Sequence, residues 1–267
     1  MNDKSRAAKQ KTSESVKTMF SGIARRYDFL NSFLSLRQDA RWRKETVRLT
    51  TRDFPDPDTV LDVCTGTAEL ALAFQKYNRH KTKIIGTDFA RPMLDLARHK
   101  IKNKSLPNPG VNGPGGITLA SADTLRLPFR NNSFTICSVA FGLQNLVNFE
   151  SGIKEMMRVL VPGGRIAILE FARPDFIGVR PVNKIFSRGY LFYFTKILPL
   201  LGNLISGAKQ RAYSYLPDSV LSFPDKGKMV QLLTECGCRQ TKVYPMSGGI
   251  VNLYLGEKGE GTKFPPP

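Results

Sequence analysis

The sequence predicts an α/β protein: an open, mostly parallel sheet with helices on its faces. Three observations carry this. Short apolar runs alternate with helical patterns five times between residues 59 and 171, and such alternation builds parallel sheets through right-handed crossovers. The run from Phe134 to Phe141 is almost wholly apolar, as a parallel strand buried on both faces requires. The stretch from Thr59 to Asp88 reads as strand, small-residue turn, helix, strand and terminal acid, with the acid 22 residues beyond Gly66. Those are the parts of a nucleotide-type cofactor site at the carboxyl edge of an open sheet.

Taken in order, residues 1–15 read as a mobile basic tail and residues 16–50 as a helical cap. In the cap, Met19, Phe20, Ile23, Tyr27, Leu30, Phe33 and Leu34 recur at three or four residues, a helical period. The Pro/Asp-rich segment 51–58 breaks the helix. The first strand is expected at 59–63 and its helix near Glu69 to Lys76, with Thr65 or Thr67 as N-cap. A second strand (Ile84 to Thr87) leads to a helix from Arg91 to Lys102. Residues 102–116 are rich in Gly, Pro and Asn and offer no core. A third strand (Ile117 to Ala120) delivers Asp123 and Thr124 to its carboxyl end. After the fourth strand, Gly142 permits close backbone approach. A helix from Glu150 to Leu160 stops at a Pro162-Gly163-Gly164 turn, and Arg165 to Phe171 form the fifth strand. The alternation then breaks in an insert (173–224). From 173 to 211 it holds seven Lys or Arg, one acid and many aromatics. A helix from Asp225 to Glu235 and two strands, near Arg239 to Tyr244 and Ile250 to Gly256, close the domain (51–257). Residues 258–267 read as a disordered tail.

The bulk numbers narrow the function. A chain of 267 residues holds one large α/β domain. A net charge of +18 attracts nucleic acid, a membrane surface or an acidic partner, or else only aids solubility. Cys64, Cys137, Cys236 and Cys238 form neither a disulfide framework nor a zinc site, which fits a reducing compartment. The amino-terminal stretch has no apolar segment of a signal peptide, and the most apolar later run, Tyr190 to Ile205, is too short and interrupted to span a bilayer.

The order of these elements, with FSGIARRYDFLN (20–31), VLDVCTGTAEL (60–70), GTDFARPML (86–94), LPFRNNSF (127–134), AFGLQNL (140–146) and RVLVPGGRIAILEFARP (158–174), resembles the ubiquinone/menaquinone-biosynthesis C-methyltransferases. These are class I S-adenosylmethionine-dependent enzymes that methylate a prenylated quinol ring. The resemblance runs from about Phe20 to Gly256. It implies a Rossmann-like, seven-stranded methyltransferase sheet, mostly parallel with its last strand antiparallel, with a helical cap and a helical insert before the last two strands. It implies S-adenosylmethionine as cofactor and no metal. Gly66 would let the backbone approach the cofactor and Thr67 would donate to its methionyl part. Asp88 would accept the ribose hydroxyls, a role that competes with a plain helix N-cap. Asp123 and Thr124 would meet the adenine, and Ala140 would contribute its backbone. Tyr27, Gln144 and Asn145 would face the substrate and assist the base step.

The chain departs from the family's usual pattern at three places. Ala68 and Glu69 stand where Gly and Asp are usual, Ala140 where Ser is frequent, and Gln144 where Arg is usual. The implied partners are a prenylated quinol and an anionic membrane surface reached by the basic, aromatic insert. The protein would be cytoplasmic and peripheral at the inner face of the membrane, with a homodimer or a quinone-synthesis complex left open. Two rivals remain: a methyltransferase for another substrate, including nucleic acid, and a diverged, non-catalytic scaffold of a quinone-synthesis assembly. Against nucleic acid stands the absence of a separate binding module in the sequence.

Overall fold

A computed structural model describes residues 37–52, 57–78, 82–104, 116–172 and 222–261, with positions 14, 18, 21, 35, 54 and 220. Seven strands are β1 (Thr59–Val63), β2 (Lys83–Asp88), β3 (Ile117–Ser121), β4 (Phe134–Ala140), β5 (Leu160–Phe171), β6 (Cys238–Met246) and β7 (Val251–Lys258). They form one sheet in the order β3-β2-β1-β4-β5-β7-β6. β1 pairs in parallel with β2 and β4, β2 with β3, and β4 with β5. Only β7 is reversed, antiparallel to both β5 and β6. The expected sheet, mostly parallel with its last strand antiparallel, is the sheet found.

The described helices are α1 (Gln38–Thr51), α2 (Glu69–Tyr77), α3 (Arg91–Lys104), α4 (Phe149–Val159) and α5 (Lys226–Glu235). Both faces of the sheet are covered, which explains why the central strands read as apolar runs. On one face Leu61, Val63, Cys137, Val139, Ile166 and Ile168 meet Ile153, Met156 and Met157 of α4 and Met229 and Leu233 of α5. On the other, Val60, Ile84 and Ile136 meet Leu70 and Phe74 of α2 and Val47 of α1. Trp42 and Leu49 of α1 pack over Ala167, Leu169, Leu253 and Leu255. Each such side chain contributes about 1.5–3 kcal/mol when fully buried. No helix among the described residues is long and apolar enough to cross a membrane.

Three local expectations are revised. The Pro162-Gly163-Gly164 segment lies within β5. Between the pairs Phe134–Leu160 and Ile136–Arg165, β5 advances five residues while β4 advances two, so a bulge replaces the turn. Gly163 takes φ 74°, and a Cβ on Gly164 would lie 2.8 Å from the Val161 carbonyl, so both glycines are required. The N-cap of α2 is neither Thr65 nor Thr67 but Ala68, which makes no side-chain capping bond. α4 starts one residue early, capped by the Asn148 side chain accepting from the Ser151 N–H. The cap before residue 35, the insert up to residue 219 and the tail beyond residue 261 lie outside the described residues, apart from positions 14, 18 and 21, which are helical.

The order of the strands sets the position of the site. From β1 the chain winds outward through β2 to β3, then returns and winds the other way through β4 and β5. The carboxyl ends of β1 and β4 therefore flank the point where the winding reverses, the crevice in which open α/β sheets bind ligands.

Candidate functional site

The turn after β1 is tightly wound. Cys64, Gly66 and Ala68 take φ 51°, 55° and 65°, a region that L side chains enter at a cost. Below it Asp62 is buried and accepts from the Thr65 hydroxyl (2.6 Å) and the Ser138 hydroxyl (3.0 Å). Burial pushes the Asp62 carboxyl up to about 6 against those two bonds. Thr65 also donates its N–H to the Thr87 carbonyl at 2.8 Å. The Thr65 side chain is thus spent on fixing the turn, which is why it does not cap α2. A Cβ at Gly66 would meet nothing within 4 Å, so the backbone there borders open space. Thr67 is buried.

Asp88, the last residue of β2, joins this turn to the next helix. Its Oδ2 accepts from the Gly66 N–H and its Oδ1 from the Ala90 N–H, both at 2.9 Å. Asp88 thus fixes the chain just ahead of α3, but the N–H it takes is that of Ala90, the residue before the helix, so it is not the N-cap of α3. A carboxylate has about four lone-pair sites, so Asp88 keeps some accepting capacity for a ligand. Burial raises its pKa, opposed by backbone N–H groups of Ala90, Gly66 and Phe89.

A pocket opens between Asp88, Phe89, Asp123, Thr124, Leu125 and the segment Asn145–Leu146–Val147, with Cys64 in its wall. Of the sequence-predicted residues, Asp88, Asp123, Thr124 and Asn145 are brought together here. Asp123 is exposed and accepts from the Leu125 N–H at 2.9 Å. Thr124 is buried, its hydroxyl 3.4 Å from the Cys64 sulfur. Ala140 ends β4, half-buried. Gln144 is buried rather than open to the pocket, and its N–H donates to Glu170 at 3.4 Å. Tyr27 lies outside the described residues. Among the described residues no group of three or more His, Cys, Asp or Glu could hold a metal ion.

Two neighbours escaped the sequence reading. Burial pushes the Cys64 thiol far up and keeps it protonated. A Cβ on Gly142 would lie 2.4 Å from the Cys64 Cβ, so Gly142 makes room for Cys64. Glu170, at the end of β5, is fully buried and accepts from the Leu143 N–H at 2.7 Å. The signal was present: Glu170 is an acid closing the otherwise apolar IAIL run.

Beside the pocket, at the carboxyl ends of β4 and β5, Phe141 and Phe171 stack with centroids 4.6 Å apart, and Trp42 approaches both at 6.0 and 6.2 Å. The Trp42 indole N–H donates to the Ser247 hydroxyl at 2.8 Å, which ties α1 to the hairpin between β6 and β7. Arg43 pairs with Asp39 at 2.7 Å and lies 5.9 Å over the Phe141 ring. These rings belong to the core cluster under α1.

This arrangement suits an adenosyl cofactor: an acid at the end of the second strand, a bare backbone at Gly66, and a hydroxyl and acid after the third strand. Comparison with known proteins agrees. A "Ubiquinone/menaquinone biosynthesis C-methyltransferase UbiE" of Geobacter sulfurreducens is 39% identical over 246 residues, 92% of this chain and 89% of that protein. A "Demethylmenaquinone methyltransferase" of Deinococcus radiodurans is 38% identical over 250 residues, 94% of this chain and 95% of its own. Among solved structures, a SAM-dependent methyltransferase from Thermotoga maritima superposes with TM-score 0.57 at 16% identity, covering 91% of this chain and 99% of that one. Human N-acetylserotonin methyltransferase in complex with SAM does so with TM-score 0.57 at 14% identity, covering 92% of this chain and 59% of that one. Residues 6–258 match the ubiE/COQ5 methyltransferase family, and the chain belongs to that family.

Proposed function

We propose that the protein methylates a ring carbon of a prenylated quinol, using S-adenosylmethionine, in menaquinone or ubiquinone biosynthesis. The observation that carries this is the gathering of Asp88, Asp123, Thr124 and Asn145 around one pocket at the winding reversal of a ubiE/COQ5-family chain. Bound S-adenosylmethionine supplies a methyl group on an electrophilic sulfonium. The chain's own work is then mostly proximity and orientation. Asp88 accepts the ribose hydroxyls with its remaining accepting capacity. Gly66 leaves its backbone bare, and Thr67 donates to the methionyl part. Asp123 accepts from the adenine amine beside Thr124, and Ala140 offers its backbone. The ring carbon gains nucleophilicity when its neighbouring hydroxyl loses a proton. Asn145, with Tyr27 and the backbone around Gln144, holds that hydroxyl or a water beside it.

The Trp42–Phe141–Phe171 wall supports an apolar tail leaving the crevice. The basic, aromatic insert would bring the enzyme to an anionic leaflet, where Lys and Arg are attracted and aromatics enter the interface. On this reading the protein is cytoplasmic and peripheral at the inner face of the membrane.

Purified protein incubated with methyl-labelled S-adenosylmethionine and either a demethylated prenyl quinol or RNA tests the reading. Label in the quinol is expected. Label in RNA alone refutes it, and no cofactor binding by calorimetry favours a non-catalytic scaffold.

A further inference from the structure

We infer that Glu170 is a positioning residue for the transfer step, holding the Leu143–Asn145 turn so that Asn145 borders the pocket. The inference deepens the methyltransferase reading of that pocket and rests on it.

The segment from Phe141 to Asn145 leaves β4 through a strained residue, since Phe141 takes φ 58°. It then forms one short helical turn, Leu143–Asn145. Within the turn, the Asn145 N–H donates to the Gly142 carbonyl at 3.0 Å and the Leu146 N–H to the Leu143 carbonyl at 3.0 Å. The first N–H groups of a helical turn point away from its own carbonyls, and here they are those of Leu143 and Gln144. Both go to Glu170 Oε1, at 2.7 and 3.4 Å. Leu169, one residue earlier on β5, takes the Phe141 N–H at 2.9 Å. Two consecutive residues of β5 therefore hold the start and the middle of the segment. The Asn145 amide is set in turn by its Nδ2 donating to the Phe141 carbonyl at 3.1 Å. Asn145, Leu146 and Val147 then line the pocket, so a shift of the clamp moves that wall.

Glu170 is also a costly way to hold a turn. It is fully buried, and its Oε2 has no hydrogen-bond partner among the described residues. Burial pushes its carboxyl up to about 8. That Oε2 carries a desolvation cost, which is set against the two N–H groups that Oε1 satisfies. What it supplies that an apolar residue lacks is an acceptor fixed to the rigid end of β5, aimed at the two N–H groups that start the turn.

The test compares wild type with Glu170→Leu and Glu170→Gln by three readouts on the full chain. These are amide hydrogen exchange at Leu143 and Gln144, S-adenosylmethionine affinity by calorimetry, and kcat and KM on the demethylated prenyl quinol per folded molecule. In Glu170→Leu, exchange at those two amides should quicken about tenfold or more, while cofactor affinity should fall by clearly less than kcat. Its kcat should fall about 10–100-fold, the scale of a misplaced orienting group. Glu170→Gln, which keeps one acceptor, should lose only about threefold. Unchanged exchange, an unchanged kcat in Glu170→Leu, or a cofactor affinity that falls as far as kcat would overturn the inference. Should the wild type itself transfer no methyl to the quinol, the proposed substrate fails, and the exchange result still decides whether Glu170 holds the turn.

Discussion

Ala68 shows how a single residue carries both fold and family. It sits at φ 65° at the start of α2 without a capping bond, in a conformation that glycine adopts freely and alanine does not. Replacing Ala68 with Gly should stabilise the protein by up to about 1 kcal/mol, seen as a higher midpoint of urea unfolding. A lower midpoint would mean that the Ala68 methyl, fully buried in the α2 core cluster, outweighs the backbone strain. Asp88 is the residue on which fold and ligand compete. Asp88→Asn removes the charge and one acceptor from a carboxylate already holding Gly66 and Ala90. A hydrogen bond to a charged group is worth about 1.5–3 kcal/mol, so calorimetry should show S-adenosylmethionine bound at least about tenfold more weakly. These two residues also mark the limits of sequence reading. Asp88 was visible because an acid closes an apolar strand at a telling distance from Gly66. The hydrogen bond by which it grips Gly66 was not visible, because it depends on two strands lying side by side.

Among the elements, the turn after β1 and the turn after β4 are made for each other. Gly142 is needed because the Cys64 side chain occupies the space where its Cβ would lie. Gly142→Ala should destabilise by about 1–3 kcal/mol, the usual cost of forcing an extra methyl into a packed site. Adding Cys64→Gly should restore much of that, since Gly removes the clashing Cβ and suits φ 51°. Denaturant unfolding of the single and double variants checks the coupling, and additive losses would contradict it.

A similar logic explains two motifs first read as family marks. Arg158 in RVLVPGG is buried and donates to the Leu127 and Phe129 carbonyls, the Asn131 side chain and Glu155. It thereby binds LPFRNNSF to α4. The strands and the helices α4 and α5 were legible because burial on one or both faces imposes a pattern. The bulge in β5 was not. Pro-Gly-Gly signals a break in either case, and only pairing with β4 shows that the strand continues through it.

For the whole molecule, stability should depend on pH through its buried carboxyls. Glu170 is pushed up to about 8 and Asp62 to about 6, both by burial. A folded-state value above the ordinary one means that the folded protein binds more protons than the unfolded chain between the two values. The favourable contribution is therefore present below the ordinary carboxyl range and is lost as pH rises through about 6 and about 8. Relative to wild type, Glu170→Gln should become steadily more stable between about pH 5 and about 8, and level off above that. Urea unfolding of both proteins across that range measures this, and a pH-independent difference would contradict it.

The parallel strands and the location of the crevice were legible in the sequence because alternation and the strand-end acid specify them, whereas the reversed last strand followed only from the family resemblance. The apolar wall of Trp42, Phe141 and Phe171 was not, since its three rings come from segments far apart in the chain and meet only when α1 crosses the ends of β4 and β5. The central claim joins all three scales: one pocket binds S-adenosylmethionine and delivers its methyl to a quinol carbon. Mass spectrometry and NMR of the product formed from a demethylated prenyl quinol test it most directly. The account predicts a product heavier by one methyl, attached to a ring carbon, formed by wild type and strongly reduced in Asp88→Asn. A methyl on oxygen, or no methylated quinol from protein that demonstrably binds the cofactor, would contradict it.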